Sequence, residues 1–147
     1  MVEEKIQKVI EVARSFISTP YKYGARMDEA PNFFDCSGFI KYIFGQVGIE
    51  LPRSTIEQAV EGEEVRIKEL KPGDLIFVRG SYGHYNPKFP DGIGHVGIFT
   101  PEKTVIHAAS KRVNSKPIIE EGAVVETTFN KYINAWAPVV VIKRVIK

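Results

Sequence analysis

The order in which two hydrophobic periodicities follow one another constrains this chain most. Up to residue 61 apolar positions recur at helical spacing, and from residue 74 onward they fall into short strand-like runs. Ile6, Val9, Ile10, Ala13, Phe16 and Ile17 form one helical stripe that Pro20 ends. A second helix starts at Cys36, where Phe39, Ile40, Ile43, Phe44 and Val47 carry the pattern of a buried helix and Gly48 stops it. Ser54 with Glu57 has the form of a capping box, which predicts a short helix over 55–61. After Pro72 and Gly73, strands are predicted at 74–79, 95–100, 104–109, 124–129 and 136–146. The short link 101–103 and the glycine-rich turns favour antiparallel neighbours. Helices first and strands afterwards describe an α+β fold, with N-terminal helices packed on an antiparallel sheet of about five or six strands.

A chain of 147 residues with 44% hydrophobic content can bury one core, so residues 1–147 are expected to form a single domain. The 20 basic and 18 acidic residues are interspersed, which argues against nucleic acid as a partner. Segment 1–16 carries scattered charge and lacks the apolar centre of a secretory signal, so the expected location is the cytoplasm or, for a processed chain, outside it. No apolar run approaches the roughly 20 residues of a membrane span. The single cysteine excludes an internal disulfide.

That cysteine opens the chemical argument. In FDCSGF, Cys36 sits at the first turn of a helix, where unpaired N–H groups and the positive dipole end favour a thiolate. Asp35 opposes this electrostatically, so a nearby histidine is expected to complete the activation. His95 begins a predicted strand between Gly94 and Gly97, and His107 follows a short link; a 95–100/104–109 hairpin would bring both rings to one end of the sheet. The set would supply nucleophile, base and orienting group. Each member also has a plainer reading: the cysteine as a small buried apolar residue, the histidines as hydrogen-bonded strand positions. Cys36, His95 and His107 could also serve as zinc ligands, a lesser alternative because ligands paired at short spacing are missing and a helix-start thiol needs no metal.

Six segments in order carry a resemblance: PYKYGA at 20–25, FDCSGF at 34–39, LPRST at 51–55, LKPGDLIFV at 70–78, HVGIF at 95–99 and VIHAAS at 105–110. They are similar to the NlpC-type cell-wall cysteine peptidases. The resemblance implies a papain-like core, Cys36 as nucleophile, His95 as base and His107 as the residue orienting it. It implies no cofactor or metal, and a peptidoglycan stem peptide or muropeptide as substrate, cut between D-glutamate and a diamino acid. Tyr21, Asp35, Ser37 and Arg53 fall at its substrate-binding positions, and a carboxylate with a phenol beside the nucleophile suits a free amino end. Another amide or thioester substrate, or a non-catalytic wall-binding module, would fit the same residues.

Three departures stand out. Ala25 replaces a frequent glycine, LPRST reverses the usual order of its last two residues, and an insert occupies 81–93. The insert, with Tyr82, Gly83, His84, Tyr85, Pro87, Phe89 and Pro90, directly precedes His95 and is expected to overhang the cleft, with His84 as a loop residue.

Overall fold

The computed structural model of the protein describes residues 2–79, 84–86 and 89–147. The first helix, α1 (Val2–Ser15), begins with Glu3 and Glu4, ends with Arg14, and buries Val9, Ile10 and Ala13. These charges complement the helix dipole. Helix α2 (Cys36–Gly45) buries Cys36, Phe39, Ile40, Ile43 and Phe44, and Asp35 caps it by accepting a hydrogen bond from the Gly38 amide at 2.7 Å. Ser54 caps α3 (Thr55–Gln58), which stops short of the predicted 55–61 because Ala59 already forms its C-cap.

A six-stranded antiparallel sheet follows. Its strands are β1 (Glu63–Val65), β2 (Leu75–Val78), β5 (His95–Phe99), β6 (Thr104–Ser115), β7 (Ile118–Thr128) and β8 (Val139–Arg144), in the order β1-β8-β2-β5-β6-β7. The expected hairpin is present, with Ile98 opposite Ile106 and Phe99 opposite Val105. Side-chain alternation along the central strands divides the core in two. Leu75, Phe77, Val96, Ile98, Ile106 and Ala108 pack with α1 and α2. Ile76, Val78, Phe99 and Val105 pack on the other side with Tyr132, Phe129 and Trp136. By the same alternation His95 and His107 belong to this second face.

The segment before β8 corrects the predicted 136–146 strand. Residues Phe129–Ala135 form a helix, α4, capped by Thr128, whose hydroxyl accepts from the Lys131 amide at 3.3 Å. Trp136 is its C-cap, and Pro138, with no N–H to give, bars continuation. The strands predicted at 104–109 and 124–129 extend to Ser115 and back to Ile118, because polar residues keep pairing in a ribbon that leaves Val113 and Ile119 about half exposed. Within the insert, β3 (His84–Asn86) pairs with β4 (Phe89–Ile93), so His84 lies on a strand instead of a loop. Residues 81–83, 87 and 88 of that insert lie outside the described residues. Phe89 and Ile93 are buried in the main core, which ties this hairpin to the domain.

Candidate active site

Cys36 is placed by the cap of α2, at the point where the helix meets the start of β5. Its Sγ lies 3.5 Å from Thr55 Oγ1 and 3.8 Å from the Gly94 carbonyl, to which the thiol can donate. The Val96 amide also points at the sulfur. The thiol therefore rests against the backbone on both sides of His95. Among the described residues no hydrogen bond joins Cys36 directly to His95.

Behind the thiol, His95 Nε2 and His107 Nδ1 are 2.7 Å apart, with ring centroids separated by 4.9 Å and planes crossing at 84°. Both rings are buried, at 3% and 2% exposure. Trp136 stacks on His95 with centroids 4.0 Å apart and planes within 11°. Tyr132 meets His107 edge to face at 4.8 Å, and its hydroxyl donates to the Ile76 carbonyl at 3.0 Å. Gly97 makes this closeness possible, since a Cβ there would sit 2.4 Å from Val105 Cγ1 and 3.2 Å from His107 Cβ.

The electrostatics differ from the sequence expectation. Burial pushes the Cys36 thiol up to about 11; the Thr55 hydroxyl pulls the other way and Asp35 adds to the rise. The helix start therefore does not yield a resting thiolate, because desolvation outweighs the amide donors. Burial likewise pushes His107 down to about 4 and holds His95 well below its ordinary value, with His107 adding to the effect on His95. Burial thus favours the uncharged forms of the thiol and of both imidazoles in the resting site.

In front of the thiol opens a cleft of about 370 Å³, lined by Tyr21, Tyr23, Gly24, Asp35, Cys36, Ser37, Arg53, Ser54, Thr55, Ile93 and Gly94. The structure thus brings Tyr21, Asp35, Ser37 and Arg53 around Cys36, while His95 and His107 lie behind it and do not line the cleft. Asp35 is not a bare carboxylate: its Oδ2 accepts from Arg53 at 2.8 Å and its Oδ1 from the Gly38 amide. Arg53 also donates to Ser37 Oγ at 2.9 Å and to the Ala25 carbonyl. One guanidinium fork so ties the loop at 25 to the start of α2. Gly38 leaves room for it, since a Cβ there would lie 2.8 Å from Asp35 Oδ1. Ile93, at the end of the insert, supplies an apolar wall.

Sequence reasoning passed over three residues here. Thr55, one of the two reversed residues of LPRST, is the first helical residue after the Ser54 cap, and its hydroxyl meets Cys36 Sγ. Tyr132 and Trp136 are four apart, a helical spacing hidden by reading Trp136 into a strand. As for a metal, no three His, Cys, Asp or Glu side chains among the described residues are grouped to hold one. The facing nitrogens of His95 and His107 are engaged with each other.

Residues 18–136 match the NlpC/P60 family. The chain belongs to that family. Among curated NlpC/P60 relatives, a probable endopeptidase of Corynebacterium glutamicum is 36% identical over 114 residues, covering 78% of this chain and 46% of the relative. A gamma-DL-glutamyl hydrolase of Bacillus subtilis is 34% identical over 115 residues, covering 77% of this chain and 26% of the relative. This chain therefore spans less than half of either relative's length. Among solved structures, the peptidoglycan hydrolase RipB from Mycobacterium tuberculosis is 27% identical with a TM-score of 0.71, covering 99% of this chain and 67% of that one. The NlpC/P60 domain of the peptidoglycan hydrolase SagA is 27% identical with a TM-score of 0.67, covering 94% of this chain and 97% of that one. None of the described helices is long and apolar enough to cross a membrane.

Proposed function

We propose that the 147 residues act as one cysteine peptidase domain that hydrolyses an amide bond in peptidoglycan stem peptides, between D-glutamate and a diamino acid. The observation that carries this reading is the layered arrangement of cleft, Cys36 and the bonded His95–His107 pair. The names of its relatives support it: endopeptidase and gamma-DL-glutamyl hydrolase name the kind of bond, and peptidoglycan hydrolase names the polymer.

The geometry supports one assignment of the protons. His95 Nε2 is committed to His107, so Nδ1 is the nitrogen left for the thiol. To accept a proton there, His95 carries its own on Nε2 and donates it to His107 Nδ1. Cys36 Sγ attacks the carbonyl carbon while its proton passes to His95 Nδ1. The tetrahedral oxyanion is held in part by the Cys36 amide at the start of α2, a well-placed donor contributing about 3 kcal/mol. Collapse breaks the C–N bond, and the leaving amine takes the proton from His95. Water then attacks the thioester, giving its proton to His95, which returns it to the departing thiol. Because the empty site is uncharged, proton transfer accompanies the attack instead of preceding it. Tyr21, Asp35, Ser37 and Arg53 bind the stem peptide at its amino end, with Asp35 and Tyr21 directed to the ammonium group.

The test is mass spectrometry of a defined muropeptide with a free L-Ala end, incubated with the protein and with Cys36→Ala. Cleavage after D-glutamate by the wild type alone is expected. Undiminished cleavage by Cys36→Ala would refute the nucleophile, and cleavage only of other γ-glutamyl amides would replace the substrate.

A further inference from the structure

We propose that Trp136 is a positioning residue for the reaction: stacked on His95, it fixes the imidazole plane and closes one face of the His95–His107 pair to water. The inference rests on His95 being the base. Its starting point is the end of α4, where the Trp136 amide donates to the Tyr132 carbonyl at 3.1 Å and both rings leave the same side of the helix. Tyr132 is fully buried and anchored through its hydroxyl to the Ile76 carbonyl, so the helix end cannot slide along the sheet without breaking that bond.

Trp136 is placed differently. It is only partly buried, yet its indole lies parallel to the His95 ring at 4.0 Å and nearly perpendicular to His107 at 6.0 Å. A side chain serving the core alone would turn inward, as Tyr132 does. Here the broad face covers the one imidazole whose orientation decides whether Nδ1 meets the thiol. Rotation of His95 about its Cβ–Cγ bond would drive the ring into the indole, and the same rotation would break the 2.7 Å bond to His107. The stack and the hydrogen bond restrain the ring from two directions. The indole face is also electron-rich and favours the imidazolium that forms during attack, a smaller influence on the ring than the water it excludes, since burial dominates at His95. The titratable groups packed on the His95 ring are His107 on β6 and Tyr132 on α4, and the Cys36 thiol lies against the adjoining Gly94 carbonyl.

The experiment follows the histidine rings by NMR, which is tractable because the chain has 3 of them, in wild type, Trp136→Phe, Trp136→Leu and Trp136→Met. Muropeptide turnover is measured on the same samples and on His95→Ala. In Trp136→Leu and Trp136→Met the His95 resonance should titrate nearer the ordinary histidine range as water reaches the ring, and kcat should fall about tenfold with KM within about twofold. Trp136→Phe should keep both properties close to wild type. Folded Leu or Met variants with wild-type His95 titration and kcat would overturn the proposal, as would a Phe variant as impaired as the aliphatic ones. Undiminished turnover by His95→Ala would instead remove the base assignment, and the titration readout decides the role of Trp136 on the ring even without turnover.

Discussion

His95 Nε2 and His107 Nδ1 face each other across 2.7 Å inside a pocket of aromatic rings. For this bond to leave His95 Nδ1 free as an acceptor, His107 must carry its proton on Nε2. That nitrogen is buried, with no hydrogen-bond partner among the described residues. In the proposed mechanism this is the tautomer that leaves His95 able to take the proton of the thiol.

The first consequence concerns substitution of His107. An asparagine can place its amide oxygen near the position of Nδ1 and keep an acceptor for His95, whereas alanine leaves the Nε2 proton without one. His107→Ala is expected to lower kcat about a hundredfold with little change in KM, and His107→Asn to lose clearly less. Steady-state kinetics on the muropeptide check this; equal losses would mean that His107 serves only by filling space.

Acid should destabilise the fold through the same pair. Both imidazoles take up protons less readily in the folded chain than in the unfolded one, His107 only at about 4. Above an unfolded value of about 6.5 neither state is protonated and the contribution is fully present. As pH falls toward 4 the unfolded chain binds protons that the folded chain refuses, and stability is lost, by about 3 kcal/mol for His107 alone. Urea unfolding at pH 7 and pH 4.5 should show a smaller difference for His107→Gln than for the wild type. An identical difference would show that the ring does not titrate across the transition.

The thiol makes a prediction of the opposite sign on the pH axis. With Cys36 pushed up to about 11, its proton stays on in the folded chain where a free cysteine would lose it. Iodoacetamide labelling of the substrate-free protein should therefore still be accelerating between pH 8 and pH 10, measured by intact mass. A rate that levels off below pH 8 would show a thiolate already stabilised at the helix start, and desolvation would not be the dominant influence.

How far the site could be read from the sequence follows from which forces are local. Cys36 at a helix start, Ser54 as a cap and the 95–107 hairpin are written in spacing and capping chemistry, and the structure has each of them. Trp136 was lost because Val139, Val140, Val141 and Ile142 extend an apolar run that masks the helical spacing of Phe129, Tyr132, Ile133 and Trp136. The neutral state of the thiol was illegible for another reason. A helix dipole is a property of position in the chain, whereas desolvation depends on what other elements place over the sulfur. The Arg53 fork on Asp35 likewise joins residues 18 apart through tertiary packing alone.

Gly97 ties the sheet to the site, and its replacement tests that link. A Cβ at this position would lie 2.4 Å from Val105 Cγ1, 3.2 Å from His107 Cβ and 3.3 Å from Tyr132 Cε1. The first distance is untenable, so Val105 must move; the other two can be met by small shifts that push the His107 ring away from His95. Gly97→Ala is therefore expected to lower stability by about 1–3 kcal/mol and to reduce kcat as well. Trimming Val105 to alanine removes the worst contact while leaving the two lesser ones. In a double-mutant cycle the pair should cost less stability than the sum of the single changes, yet kcat should remain depressed because His107 is still displaced. Additive stabilities would place the strain elsewhere, and full recovery of kcat in the double mutant would mean that Val105, and not the spacing of His107 from β5, governs the alignment of the pair.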